Sequence, residues 1–139
     1  MPSRREPVVK RLNRHLWLVE PLEDEPTFLI KAMFGGKAVY LHGRFILFLA
    51  DKEEPWRGVL VPTEREHQPS LIADRPALAP HEILGKWLYL PEAADSFETD
   101  AQWLVQRARA GDERVGIIPP MKRARKRKSP ASRPGQGNS

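Results

Sequence analysis

Met33-Phe34-Gly35-Gly36-Lys37-Ala38-Val39-Tyr40-Leu41-His42-Gly43, followed by Arg44-Phe45-Ile46-Leu47-Phe48-Leu49-Ala50, decides how this chain folds. Two adjacent glycines between apolar segments supply the positive-φ backbone that a tight hairpin demands. Gly43 punctuates the chain again seven residues after Gly36. The pattern predicts a three-strand meander, with a first strand from Thr27-Phe28-Leu29-Ile30 to Met33, a second over 38–42 and a third over 44–50. The third is almost continuously apolar, the mark of a central strand covered on both faces.

Outward toward the C-terminus, Asp51-Lys52-Glu53-Glu54-Pro55 reads as a charged turn. Trp56 and Gly58-Val59-Leu60-Val61 then form a fourth strand that Pro62 ends, so the meander occupies 27–62. Thr63-Glu64-Arg65-Glu66 has the capping-box form, predicting a short helix from Glu64. Pro69 stands too far along for a first-turn proline of that helix, which therefore stops near His67 or restarts at Ser70-Leu71-Ile72. Arg75 to His81 is a proline-punctuated extended crossing, and Trp87-Leu88-Tyr89-Leu90 is a fifth strand ended by Pro91. Ser96 or Thr99 caps a last helix over about 98–110, with Ala101, Leu104, Val105 and Ala108 as its apolar stripe and Gly111 as its stop. Val115-Gly116-Ile117-Ile118 closes the core.

Toward the N-terminus, Pro7 with Val8, Val9, Leu12, Leu16 and Val19 predicts an amphipathic helix over about 7–19, ended by Pro21 and followed by an acidic loop. The expected fold class is α+β: a small antiparallel sheet of about five strands with an N-terminal and a C-terminal helix packed on it. The domain occupies 1–120, and 121–139 is a Lys/Arg-rich tail. The tail has no aromatic or large aliphatic residue after Met121, so the reading is that it cannot offset the entropy of ordering and is disordered.

The net charge of +5 resolves into two unequal parts. Residues 1–121 hold 16 Lys and Arg against 18 Asp and Glu, whereas residues 122–139 hold 7 Lys and Arg and no acid. Six cations, Lys122, Arg123, Arg125, Lys126, Arg127 and Lys128, fall within seven residues, a density that neutralises phosphates without geometric demands. DNA or RNA is therefore the first candidate partner, through the tail; a protein partner with a passive, solubilising tail is the alternative.

The remaining chemistry is sparse. With no cysteine, thiolate metal sites, disulfides and cysteine nucleophiles are excluded. His15, His42, His67 and His81 stand far apart in different elements, which predicts exposed histidines and no metal site. Gly35-Gly36 lacks the spacing of a dinucleotide fingerprint or a P-loop, and no catalytic constellation or cofactor motif is visible; an enzyme acting on a small ligand against the sheet is the weakest reading. Trp87 and Trp103 read as core, and Trp56, in a charged loop beside Arg57, as the best exposed contact among the four tryptophans. No apolar run reaches the length of a membrane span, and the Arg-rich start has no long apolar segment behind it, so a soluble cytoplasmic protein is expected.

Lys31, Met33, Phe34, Gly35, Gly36, Tyr40, Gly43 and Phe45 lie in the register of the TfoX N-terminal domain motif, a basic residue followed by Met-Phe-Gly-Gly, an aromatic and a closing Gly. The stretch 31–48 resembles that family. The segments 62–71, the proline-rich crossing, the Trp87 strand and the helix from Thr99 are similar to the related MmcQ/YjbR group. The resemblance implies a small α+β domain in bacterial cytosolic proteins linked to competence regulation or DNA binding, without known catalytic residues. Ala38 stands where a further Gly is usual, and the C-terminal domain of longer TfoX proteins does not follow.

Overall fold

A computed structural model of the chain describes residues 13–119. Six strands form one antiparallel sheet: β1 (Leu29–Met33), β2 (Gly36–Leu41), β3 (Arg44–Asp51), β4 (Arg57–Val61), β5 (Ala79–Pro80) and β6 (Leu88–Pro91), in the spatial order β1-β2-β3-β4-β6-β5. With its flanking helices α1 (Gln68–Asp74) and α2 (Phe97–Arg109), the protein is α+β, and the four-strand meander lies where the glycine pattern put it. The sixth strand comes from the crossing: Ala79 pairs with Tyr89 and Pro80 with Leu88 on the outer edge, where proline costs no ladder bond.

Two two-residue turns set the register. Met33 faces Gly36 across Phe34-Gly35, and Leu41 faces Arg44 across His42-Gly43. The φ angles are 50° and 78° in the first turn and 56° and 76° in the second, the doubly left-handed geometry whose twist matches that of the strands. Positive φ therefore belongs to Phe34 and Gly35, and Gly36 is already strand. Its role is close approach, since a Cβ there would lie 2.5 Å from the Leu49 carbonyl oxygen and 2.7 Å from the Phe48 ring.

The unbroken apolar run of β3 has two causes. Val39 pairs with Leu47 but Tyr40 pairs with Phe45, so Ile46 is the extra residue of a bulge and both Ile46 and Leu47 join the same core. The other cause is burial on both sides. On one face Val39, Leu41, Leu49, Val59, Val61, Leu88 and Leu90 pack with Leu71 of α1 and with Leu104, Val105 and Ala108 of α2. On the other face Ala38, Phe45, Phe48, Ala50, Leu60 and Tyr89 form a separate, aromatic cluster to which no helix among the described residues contributes.

The helical ends differ from expectation in instructive ways. From residue 16 the N-terminal segment is a 3₁₀ helix, Leu16–Leu22, with Pro21 inside it, and it buries Leu18, Val19 and Leu22. Residues 7–12 of the expected helix lie outside the described residues. In so short a 3₁₀ run a proline removes one donor only, so it does not end the segment. The capping box at Thr63 does not form: its hydroxyl reaches only the Glu64 carbonyl, a 3₁₀ turn runs over Arg65–His67, and α1 begins at Gln68 with Pro69 in its first turn. Ser96 occupies the N-cap position of α2, yet its hydroxyl donates to Asp100 Oδ2 at 2.6 Å instead of accepting from the backbone. Gly111, at φ 85°, does stop the helix. Asp112 N–H donates to the Arg107 carbonyl and Gly111 N–H to the Ala108 carbonyl, a complete Schellman closure.

Candidate functional site

The second face of the sheet concentrates the aromatic residues. Tyr40 stacks on Phe45 with centroids 5.3 Å apart, and Phe45 meets Trp87 edge-on at 5.3 Å. Trp56 packs on His81 at 4.4 Å, and His81 meets Tyr89 edge-on at 5.1 Å. These contacts follow from period-two alternation: the residues between them, Val39, Leu47, Leu49, Val59 and Leu88, have gone to the helix side.

His81 holds this surface together. Its Nδ1 accepts N–H bonds from Ile83 at 3.1 Å and Leu84 at 3.0 Å, which leaves the proton on Nε2 to donate to the Pro55 carbonyl at 2.7 Å. The neutral imidazole thus ties the segment 81–87 to the β3–β4 turn and presses Trp56 into place. Tyr89 works nearby: its hydroxyl accepts from the Arg57 N–H at 2.8 Å and lies 2.8 Å from both Glu54 Oε1 and the Arg57 carbonyl. Burial, then the Glu54 hydrogen bond, pushes its pKa well above the ordinary tyrosine value, so the phenol keeps its proton.

Past Trp56 and Leu84 the covering ends and a groove of about 380 Å³ opens, bounded by Phe34 at the tip of the β1–β2 turn, by Gly36, Phe48 and Ala50, and by Lys52 on the rim. Phe34 is 82% exposed. Asp51 also borders the groove, but it takes the Arg14 N–H on Oδ2 at 3.1 Å and pairs with Arg14 Nε at 3.6 Å.

A second, polar cavity of about 480 Å³ lies where the 3₁₀ segment meets the loop after β6, lined by Arg14, His15, Trp17, Glu92 and Asp95 among others. Arg14 Nη1 reaches both Glu92 oxygens at 3.2 Å, Arg57 Nε is 3.6 Å from Oε2, and His15 Nε2 is 3.5 Å from Oε1 without a hydrogen bond. Burial lowers the His15 pKa from its ordinary value, against the opposing pull of Glu92. With two guanidiniums on one carboxylate, the arrangement is an ion-pair network that pins the 3₁₀ segment to the sheet.

Several expectations about single residues change here. His15 and His81 are 3% and 1% exposed, not surface residues, while His42 is exposed and His67 partly so. Trp103 is half-buried, with the guanidiniums of Arg75 and Arg114 4.6 and 5.8 Å from its ring, and Trp87 is half-buried with no hydrogen-bond partner for Nε1. Trp56 is a wall of the groove.

Of the motif residues, Phe34 and Gly36 line the groove and Met33 packs against the aromatic cluster. Lys31 Nζ lies 5.3 Å from the centre of the Tyr40 ring, and Gly43 serves the turn at the other end of β2. Lys122, Arg123, Arg125, Lys126, Arg127 and Lys128 lie outside the described residues. Sequence reasoning did not bring Phe48, Ala50, Lys52 and Leu84 to the groove. Alternation along β3 marks the first two, but no local signal connects Leu84 to a turn fifty residues earlier. Among the described residues no helix is long and apolar enough to cross a membrane. The chain matches no protein-family model, no curated protein and no solved structure.

Proposed function

We propose that this chain is a non-catalytic, cytoplasmic binding module of the TfoX/YjbR kind, an accessory or regulatory protein that takes nucleic acid through Lys122, Arg123, Arg125, Lys126, Arg127 and Lys128 without sequence preference. The division of charge carries this reading. The described residues hold 12 Lys and Arg against 17 Asp and Glu, a balance of −5, so the basic excess of the whole chain lies outside them. Seven of the eight arginines among the described residues are also engaged: Arg14, Arg57, Arg75, Arg107, Arg109 and Arg114 pair with carboxylates, and Arg44 bonds the Glu113 and Gly116 carbonyls. A folded surface of that balance repels a polyanion, and the cation run is left to attract it.

The test is a salt titration of fluorescent duplex DNA against the full chain and against a full-length variant with the six cations replaced by Gln. Four to six released counterions give log K against log salt a slope of roughly −4 to −5 for the parent, and the variant loses both affinity and slope. Equal binding by the variant moves the contact to the folded surface. No binding by the parent at low salt replaces this reading with a protein-interaction module.

A further inference from the structure

Phe34 is an unexpected occupant of its position. The first residue of a doubly left-handed hairpin turn is normally Asn, Asp or Gly, because an ordinary side chain at φ 50° crowds its own backbone. An aromatic residue there is disfavoured by the backbone and, at 82% exposure, by water as well. Neither the hairpin nor the core draws benefit from it, since Gly35 supplies the turn's freedom and Phe48 fills the space beneath. Strain of this kind concentrates where a side chain is held for a ligand.

The surroundings say which ligand. Phe34 and Trp56 border one groove, and Trp56 is immobilised by His81, whose two ring nitrogens make three hydrogen bonds. Gly36 and Ala50 add no bulk around the Phe48 ring, so the floor is low and apolar. At about 380 Å³ the space is at the small end of the range for small-molecule sites. Lys52 stands on the rim with no carboxylate paired to it among the described residues, whereas the neighbouring Asp51 is held by Arg14. Aromatic walls, an apolar floor and one rim ammonium fit a flat ring that carries an anionic group.

We infer that this groove binds a nucleotide, its base between Phe34 and Trp56 and its phosphate at Lys52, either as a free mononucleotide or as an unpaired nucleotide within a strand. The second source rests on the proposed nucleic-acid reading; the first does not. A base inside a duplex is stacked on its neighbours and cannot enter, so the groove adds a single-strand preference to sequence-blind phosphate contacts.

The experiment uses the full chain, the variants Phe34→Asn and Trp56→Leu, and three probes: adenosine monophosphate, a fluorescent single strand, and the duplex of the same sequence. Asn suits the turn, so Phe34→Asn keeps or raises the thermal midpoint and loss of binding cannot come from unfolding. The parent should bind the single strand about ten-fold more tightly than the duplex. Phe34→Asn should lose that preference while keeping duplex binding, and the monophosphate should quench tryptophan fluorescence in the parent but not in Trp56→Leu. Quenching without binding of either strand assigns the groove to a free nucleotide and refutes the proposed function alone. Equal binding of strand and duplex by parent and Phe34→Asn, with no response to the monophosphate, overturns the groove and leaves the proposed function standing. Self-association of the parent that Phe34→Asn abolishes overturns it too, giving the groove to a second copy.

Discussion

Gly35 and Gly36 are adjacent, but alanine at the two positions should act through different physics. At Gly35, φ is 78° and the added Cβ meets only the flexible end of Lys52, so the cost is that of left-handed backbone, about 1–2 kcal/mol. Gly43, at φ 76° with nothing within 4 Å of an added Cβ, provides the control, and Gly43→Ala should cost the same. At Gly36 the backbone is ordinary, yet the Cβ would stand 2.5 Å from the Leu49 carbonyl oxygen and 2.7 Å from the Phe48 ring. One obstacle is backbone in the central strand and the other a ring that is 2% exposed, so neither yields without disturbing the pairing of Lys37 with Leu49. Overpacking of this severity costs about 3 kcal/mol or more. Urea unfolding followed by tryptophan fluorescence, with the slope against denaturant held constant, reads the difference directly. The expected ranking is Gly36→Ala well below both Gly35→Ala and Gly43→Ala. If Gly36→Ala costs no more than Gly43→Ala, β2 does not approach β3 this closely and the assignment of roles within the turn is wrong.

Two further predictions concern pH. Asp112 accepts from Arg114 Nη2 at 2.8 Å, from Arg107 Nε at 3.0 Å and from the Arg114 backbone N–H at 3.0 Å, and the Arg114 bonds foremost hold its carboxyl far below the usual aspartate range. Asp112→Asn should therefore cost about 2 kcal/mol at neutral pH, and the gap to the parent should close as pH falls from about 4 toward that depressed folded value. His15 behaves in the opposite sense to a salt-bridged histidine: because burial lowers its folded pKa, the unfolded chain takes up the proton first, so stability drops as pH falls through about 6.5 and levels off below the folded value. Urea midpoints for parent and His15→Gln between pH 8 and 5 check this; parallel curves would show that His15 is not held neutral.

The meander was legible because its signals are local. Two Gly-containing turns, a Pro at each of two strand ends and an apolar central strand specify four antiparallel strands and their order. The long-range contacts were not legible. His81 looks like any loop histidine until the fold sets Pro55 2.7 Å from Nε2 and two backbone donors near Nδ1, and His15 looks polar beside Arg14 until it packs against Phe97 at 5.3 Å. Capping residues guided only in part: Ser96 does stand at the N-cap of α2, but the Thr63 and Ser96 hydroxyls each bond a nearby oxygen instead of a helix N–H. At the groove, Gly35 and Gly36 shape the hairpin that the motif marks, and Phe34, at φ 50° and exposed, is the motif residue whose position the hairpin does not explain.

The extent of the groove follows from how the second face is covered. Period-two alternation commits Phe48, Ala50, Leu60 and Tyr89 to that face as surely as it commits Leu49, Val59 and Leu88 to the helices, so apolar area is exposed there unless another segment crosses it. Among the described residues the link between β5 and β6 covers part of it, with Leu84 and Trp87 packed on the aromatic cluster and His81 anchoring its start, while Trp56 of the β3–β4 turn and Ile117, bridged to Phe45, pack on it from other segments. That link is pinned at both ends to the β6 side of the sheet, since His81 N–H donates to the Trp87 carbonyl at 2.9 Å. A loop closed on itself in this way reaches Leu84 and turns back, short of β1 and β2. Beyond Leu84 an apolar groove opens toward the β1–β2 turn, and Phe34, Trp56 and Lys52 border it. The Leu84 wall of the groove is thus set by the length of that loop and the closure that His81 imposes on it, and a Gly inserted after Leu84 should weaken nucleotide quenching of tryptophan fluorescence while leaving Phe34 and Lys52 in place; unchanged quenching would show that Leu84 does not shape the site.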